Sequence, residues 1–550
     1  MSARLTSFAL IVSIACGAYA YDITVRWNEV HQKISGFGAG TGCPTCAGGG
    51  ATSYDNAGMA IYGLPEPART EILDLLFDST KGVGFTCFRI GESWMLEDPD
   101  GSWHWARGPG EQQEIWVAKE AQKRNSNIKF WSAPWTPPLW MKTQQTMGGG
   151  ELQTRYYQRY ADYKSRMVRE FRDKEGITMM ANSVQNEPHF GSASYGGCGY
   201  SPEQIRTFVG DYLGPAFRRD GLDKTTTIMI AETNYPQPEW VVPTINDAAA
   251  SAYVGILGWH QYPDGSSPPL LNVSGKESWA TETSHGTWSG MGDVGWFGAL
   301  WVHGQLYDAI VNKDANSWSY YLFGGWGNGG LAAISGTSFD PTCKRVWWVG
   351  HYSKFVRPGW VRIGTSVKTV GDGAQLSAFK DPMSGRFAIV VANSGYAAPG
   401  NSITVTCDGF APRKVVAYLT TGDENPSMRG PTDVPIVNGK FTFLTPNVSI
   451  ATLVGETQNP TSADGLSAAG AKPSIAAMWG PAGLSVRVGS LTSGRAELLD
   501  SQGRIVAQWK LAARAEQTLR FPRRPEAGVH FLRVKREGHG PVCQSMLFGK

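Results

Sequence analysis

Between residues 85 and 325 short apolar runs recur: "FTCFRIG", "IKFWSAPW", "TMMANSVQ", "TTTIMIAET", "YVGILGWHQY", "ESWATETS" and "NSWSYYLF". Between many of them lie polar segments with helical spacing, such as "LQTRYYQRYADYKSRMVREFRDKEG" and "PEQIRTFVGDYLGPAFRRDG". Strands alternating with helices over this span predict an α/β fold with a parallel sheet, and eight such units predict a (β/α)8 TIM barrel. In that fold the residues that end each strand line the active-site mouth. Here they are Arg89, Trp135, Asn186-Glu187, Glu232, His260-Gln261-Tyr262 and Glu282.

Beyond about 360 the rhythm changes to period two. "GRFAIVVAN", "NSITVTC", "GKFTFL" and "VSIATLVG" read as strands of a β-sandwich packed on the barrel. Residues 456–473, "ETQNPTSADGLSAAGAKP", are small, polar and without an aromatic, which predicts a linker. After it, "LSVRVGS", "GRAELLDSQGRIVAQWKL", "QTLRFP" and "VHFLRVKRE" predict a small antiparallel all-β domain with a hairpin at "LLDSQGRIV". The division is therefore a leader at 1–20, first sandwich strands at 21–50, barrel at 51–350, the rest of the sandwich at 351–455, linker at 456–473 and C-terminal domain at 474–550.

Composition narrows the class. The chain has 550 residues, 41% hydrophobic and 18% charged, which describes a globular protein of two or three domains. Residues 1–20 carry Arg4, the apolar stretch "FALIVSIACGAYA" and small residues before Tyr21, the pattern of a cleaved secretory leader. No later run reaches the ~20 apolar residues of a membrane span. From residue 456 onward there are 13 Lys/Arg against 7 Asp/Glu, so a total of +3 leaves the larger part mildly acidic and gives no support to nucleic-acid binding. Of the cysteines, Cys43-Pro-Thr-Cys46 has no second CxxC or HxxxH to complete a zinc site. A local disulfide is expected there instead, and neither a metal nor a cofactor. Cys87 sits in an apolar strand and is expected simply to be buried.

Two carboxylates stand out, because each ends an apolar strand at the mouth: Glu187 after "MMANSVQN" and Glu282 after "ESWAT". Only the barrel can bring them together. Facing each other across a cleft, they form the pair that cleaves glycosidic bonds, and a separation of ~5–5.5 Å means retention of configuration. Arg89 and the His260/Tyr262 pair are candidates to hold the nucleophile's charge. Nineteen of the 21 tryptophans precede the linker, many in loops, including Trp135 and Trp326, where indole faces stack on sugar rings.

Six stretches in order then carry a resemblance: "HQKISGFGAG", "WSAPWTPPLWMKTQQTMGGGEL", "SVQNEP", "YSPEQIRTFVGDYLGPAF", "WATETS" and "YSKFVRPGWVRI". Over about 25–455 the chain resembles glycoside hydrolase family 30. The resemblance implies a barrel with an attached β-sandwich, retention, Glu187 as acid/base and Glu282 as nucleophile. It also implies Arg89, Asn186, Trp131 and Tyr262 as residues that bond or stack against the sugar at the cleavage site. Glucuronoxylanases of that family grip an acidic branch with Arg and Tyr in the loop after strand 8. Here "YYLFGGWGNGGLAAI" has no Arg or Lys, and Tyr321 stands where Trp is common. The residue expectation for substrate contact is Arg89, Trp131, Trp135, Asn186, His260, Tyr262, Tyr321 and Trp326.

The expected substrate is a plant cell-wall polysaccharide. An endo-β-1,4-xylanase comes first, then an endo-β-1,6-glucanase or galactanase or a glucosylceramidase-like β-glucosidase. A non-enzymatic carbohydrate-binding surface protein is the alternative class, and it predicts loss of one of the two glutamates. The C-terminal segment resembles sorting domains of secreted bacterial enzymes, so residues 474–550 are expected to engage outer-membrane secretion machinery. The protein is expected to be a bacterial monomer, secreted or attached to the cell surface.

Overall fold

The computed structural model describes residues 19–42, 57–191, 196–262, 273, 275–284, 295–326, 329–371, 373–395, 400–421 and 427–458, and seven strands between 475 and 548. Most of the expected leader, Cys43, Cys46, most of the linker and the side chain of Trp326 lie outside the described residues.

A long strand, β1 (Tyr19–Lys33), is followed at once by the barrel. Eight strands, β2 (Gly36–Gly40), β3 (Cys87–Glu92), β4 (Lys129–Pro134), β5 (Met179–Ser183), β6 (Thr227–Thr233), β7 (Val254–His260), β8 (Glu277–Glu282) and β9 (Ser317–Leu322), close in chain order. All neighbours are parallel. The barrel thus begins at residue 36, not at 51. "GFGAG" carries too little apolar side chain to read as a strand, yet glycine is what this position needs. A Cβ at Gly38 would collide with the Cys87 carbonyl of β3. Cys87 is fully buried and unpaired.

The helical layer follows from spacing. Tyr157–Glu175 buries Tyr157, Tyr160, Ala161, Lys164, Val168 and Phe171 at three- and four-residue intervals against the strands. It stops at Gly176, whose left-handed conformation lets its N–H close the last turn. The second expected helix starts with a Ser201/Gln204 capping box and Pro202 at its first position. It then widens into a π turn at Phe208–Leu213 before Gly214–Arg219. Pro215 has no N–H to return to the preceding turn, which favours that widening.

The side domain is one sheet of eleven strands curled over its own core. In it β1 pairs antiparallel with Val361–Thr365 and parallel with Asn401–Asp408. Ile23, Val25, Leu376, Ile389, Val391, Ile403, Val405, Phe441 and Leu453 meet inside. The helix Lys344–Ser353 joins this sheet to the barrel, with His351 hydrogen-bonded to the Thr452 and Thr420 hydroxyls at 2.8 and 3.0 Å. The helix passes the expected boundary at 350. The last strand, Ser449–Thr457, also runs past 455: Glu456 pairs with Arg386 and Thr457 with Pro412. The linker therefore begins later than composition suggests, because a polar Glu-Thr pair still completes a ladder. The C-terminal strands form two antiparallel sheets, of three and four strands. The expected hairpin joins Gly494–Leu499 to Ile505–Leu511.

Candidate active site

The barrel brings seven of the strand-end side chains, those of Arg89, Asn186, Glu187, Glu232, His260, Tyr262 and Glu282, to one point. Glu187 follows β5 by four residues, and its backbone takes a left-handed φ of 46°. Its N–H donates to the Glu232 carbonyl at 3.1 Å, and its own carbonyl accepts from the Phe190 N–H at 2.9 Å. Asn186 is tied to β4 through its N–H and the Pro134 carbonyl, 2.9 Å. Glu282 ends β8, and its carbonyl accepts the Gln261 N–H at 2.8 Å. One carboxylate oxygen each of Glu187 and Glu282, and one ring nitrogen of His260, all lie within 4.8 Å of one another.

The surroundings of the two acids differ. Glu282 accepts from Arg89 Nη1 on one oxygen and from the Tyr262 hydroxyl, at 2.8 Å, on the other. Arg89 is wholly buried, and its Nη2 also donates to Asn186 Oδ1 at 2.5 Å and Glu232 Oε1 at 3.2 Å. Its guanidinium lies 4.7 Å from the Trp135 ring and 5.1 Å from the Trp131 ring, a cation held between two indole faces. Glu187 Oε1 meets His260 Nδ1 at 3.0 Å. His260 Nε2 stands 3.7 Å from Glu282 and 3.8 Å from Glu232. The imidazole thus hydrogen-bonds Glu187, beyond the end of β5, while its other nitrogen stays within ion-pair distance of Glu282.

Burial works against charge on His260, but Glu282, Glu187 and Glu232 outweigh it and lift the imidazole to about 9, so it is a cation at neutral pH. Burial likewise opposes charge on Glu232, and Arg89 with His260 overcomes it, holding that carboxyl below its usual range. Burial, reinforced by the Glu282 charge, keeps the Tyr262 phenol protonated.

Not every expected contact residue reaches the mouth. Trp131 is fully buried inside the barrel with Trp279, Met229 and Ala181, its ring edge-on to Trp279 at 6.2 Å. Its ring lies against the Arg89 guanidinium. Trp135 sits beyond the end of β4 and packs against the Tyr321 ring at 6.4 Å, so those two share the wall. Trp326 lies in a short strand, Gly324–Trp326. Sequence reasoning placed Glu232 among the strand ends at the mouth but gave it no role, although "IMIAE" ends on a glutamate just as "ESWATE" does. A second buried network lies at the end of β3: Glu92 accepts from Lys164 (2.6 Å), Asn182 (2.6 Å) and Ser132 (3.0 Å), all buried.

Glu187, His260 and Glu282 are close enough to ligate a cation. However, Arg89 and the imidazolium already fill the two positive positions there. The donor set suits acid–base work on a neutral substrate better than a metal.

Residues 108–305 match the model of the glycosyl hydrolase family 30 TIM-barrel domain. A putative glucosylceramidase of Caenorhabditis elegans is 28% identical over 68% of this chain and 76% of that protein. A glucuronoxylanase of Bacillus subtilis (strain 168) is 24% identical over 79% of this chain and 92% of its own length. Among solved structures, the catalytic domain of the family 30 xylanase C from Talaromyces cellulolyticus superimposes with a TM-score of 0.66 at 22% identity. It covers 80% of this chain and all of that one, so the fold is shared. The closed barrel, the attached curled sheet and the family match across the acid-bearing strands agree: residues 108–305 carry the glycosyl hydrolase family 30 TIM-barrel domain.

Proposed function

We propose that the protein hydrolyses a β-linked plant cell-wall polysaccharide with retention of configuration, Glu282 acting as nucleophile and Glu187 as acid/base. The observation that carries this is proximity: the two acids bring carboxylate oxygens within 4.8 Å. Retaining enzymes hold their carboxyl groups ~5–5.5 Å apart, whereas inverting ones need ~6.5–9.5 Å to seat a water between them. The Glu282 carboxylate, oriented by Arg89 and Tyr262, attacks the anomeric carbon. The bond to the leaving oxygen breaks as Glu187 passes it a proton, giving a covalent glycosyl-enzyme. Glu187 then takes a proton from water, whose oxygen displaces Glu282. Asn186, aligned by Arg89, stands where a sugar hydroxyl beside that carbon is bonded.

Xylan is the substrate class proposed first. In its support, the glucuronoxylanase relative is matched along 92% of its length against 76% for the glucosylceramidase. Residues 320–334 offer no Arg or Lys, so the enzyme is proposed to act without an acidic branch. The higher identity to the glucosylceramidase, 28% against 24%, favours a β-glucosidase as the second reading. The leader and the C-terminal domain support export to the cell surface. Glucuronoxylan, arabinoxylan, β-1,6-glucan, β-1,6-galactan and glucosylceramide, tried side by side, test the assignment. Xylo-oligosaccharides of several lengths should appear within minutes from both xylans alike; release from glucosylceramide or a β-1,6-glycan alone would replace xylan. In Glu282→Ala, hydrolysis should vanish and azide should restore turnover with a glycosyl azide of inverted configuration.

A further inference from the structure

Glu232 takes no part in the double displacement, yet it is the most enclosed acid of the site, with no exposed surface. It lies where the pairing of β6 with β7 slips: Ala231 faces Gly258, and the next paired residue is Thr233, facing Trp259. Glu232 is therefore the extra residue of a bulge. Ala231 and Glu232 both carry positive φ, 75° and 50°, a conformation that side-chain-bearing residues seldom adopt and that gathers at functional sites. The bulge aims the Glu232 carbonyl at the Glu187 N–H and its carboxylate into the barrel. There it accepts from Arg89 Nη2 and the Ser183 hydroxyl. Gly258 makes this possible, since a Cβ there would stand 2.8 Å from Glu232 Cγ.

The charges facing Glu187 can be named element by element. From β7 comes His260 and, just past its end, Tyr262 with a phenol that keeps its proton; β8 contributes Glu282 and, beyond it, β3 contributes Arg89, and β6 contributes Glu232. His189, on the same turn as Glu187, is held uncharged by burial. Two cations, Arg89 and His260, thus meet two fixed anions, Glu282 and Glu232. The group is neutral overall only while Glu187 is protonated.

We infer that Glu232 is the positioning residue that lets Glu187 keep its proton: its charge cancels one of the two cations, and its carbonyl fixes the direction of the acid. This rests on the reading of Glu187 as acid/base. Removing the charge leaves two cations against Glu282 alone, and they draw the proton off Glu187.

In the full-length chain, Glu232→Gln should lower the alkaline limb of the kcat/KM profile by about one pH unit or more, for a substrate whose leaving group needs protonation. An activated aryl glycoside, which needs none, should lose far less. The double variant Glu232→Gln/His260→Asn removes one charge of each sign and should bring the limb back toward its wild-type position. A residue with a purely structural role predicts no such recovery. If Glu232→Gln fails to fold, His260→Asn alone still decides, because the limb must then move up. An unmoved limb in Glu232→Gln, or a double variant no closer to wild type, overturns the inference. Glu187→Ala separates the two readings: if it harms activated and unactivated substrates equally, the acid/base assignment itself fails. If it spares the activated ones while Glu232→Gln leaves the limb unmoved, only the inference about Glu232 fails.

Discussion

Glu282 draws its orientation from two donors of different kind, and their removal should show it. Tyr262→Phe deletes a 2.8 Å hydrogen bond to a carboxylate. Bonds to charged groups contribute about 1.5–3 kcal/mol, so kcat/KM should fall about tenfold to a hundredfold, with little change in melting temperature. His260 makes a statement about pH. Its imidazole sits at about 9 in the folded protein against an ordinary value of about 6.5. Because the folded value is raised, its stabilisation is complete below pH 6.5 and is lost as pH rises through 9. Melting temperature should therefore drop between pH 7 and 10, and His260→Asn should flatten that drop. Glu187 and Glu282 were legible because each closes an apolar run in the sequence. Trp131 and Trp135 were not separable by pattern, since they lie four residues apart and so share the same parity along the strand. Depth divides them: Trp131 is mid-strand, Trp135 past its end. Trp135→Ala should raise KM, whereas Trp131→Phe should lower stability and leave KM near wild type.

At the scale of elements, the mouth end of β3 is held to the helical layer by a buried ion pair rather than by apolar packing alone. Lys164, from the helix Tyr157–Glu175, reaches Glu92 at the end of β3. Both are essentially without exposed surface, so Lys164→Met leaves a buried carboxylate with one charged partner lost. Breaking such a pair costs on the order of 3–5 kcal/mol. Heat denaturation followed by circular dichroism should show the barrel transition several degrees lower. Glu92→Gln combined with Lys164→Met should recover part of that loss. The helix itself was readable from its three-to-four-residue spacing. β2 was not, because its signal is five small or glycine-bearing positions whose role is to let β2 and β3 approach. Glu232 was legible as a strand end but its role was not, for a related reason. A bulge is set by the register between two strands, and a single strand's sequence does not carry it.

For the whole molecule, the alternating regions foretold a barrel and a β-rich partner, but not that β1 would sit in the middle of the partner sheet. Its mates at 361–365 and 401–408 lie over 300 residues away in sequence, and no local pattern encodes such a pairing. The corrected end of that sheet bears on truncation. A chain ending at Gln458 keeps the ladder from Ser449 to Thr457 and should hydrolyse substrate within about twofold of the full chain, an estimate within the small effect of changes away from buried contacts. One ending at 455 removes Glu456 and Thr457 from the ladder and should melt lower. A short Glu187–Glu282 separation implies double displacement. Proton NMR of the first minutes of hydrolysis tests this most directly. The newly released reducing end should appear as the β-anomer and only later mutarotate to the α-form. First appearance of the α-anomer would mean single displacement and contradict the account.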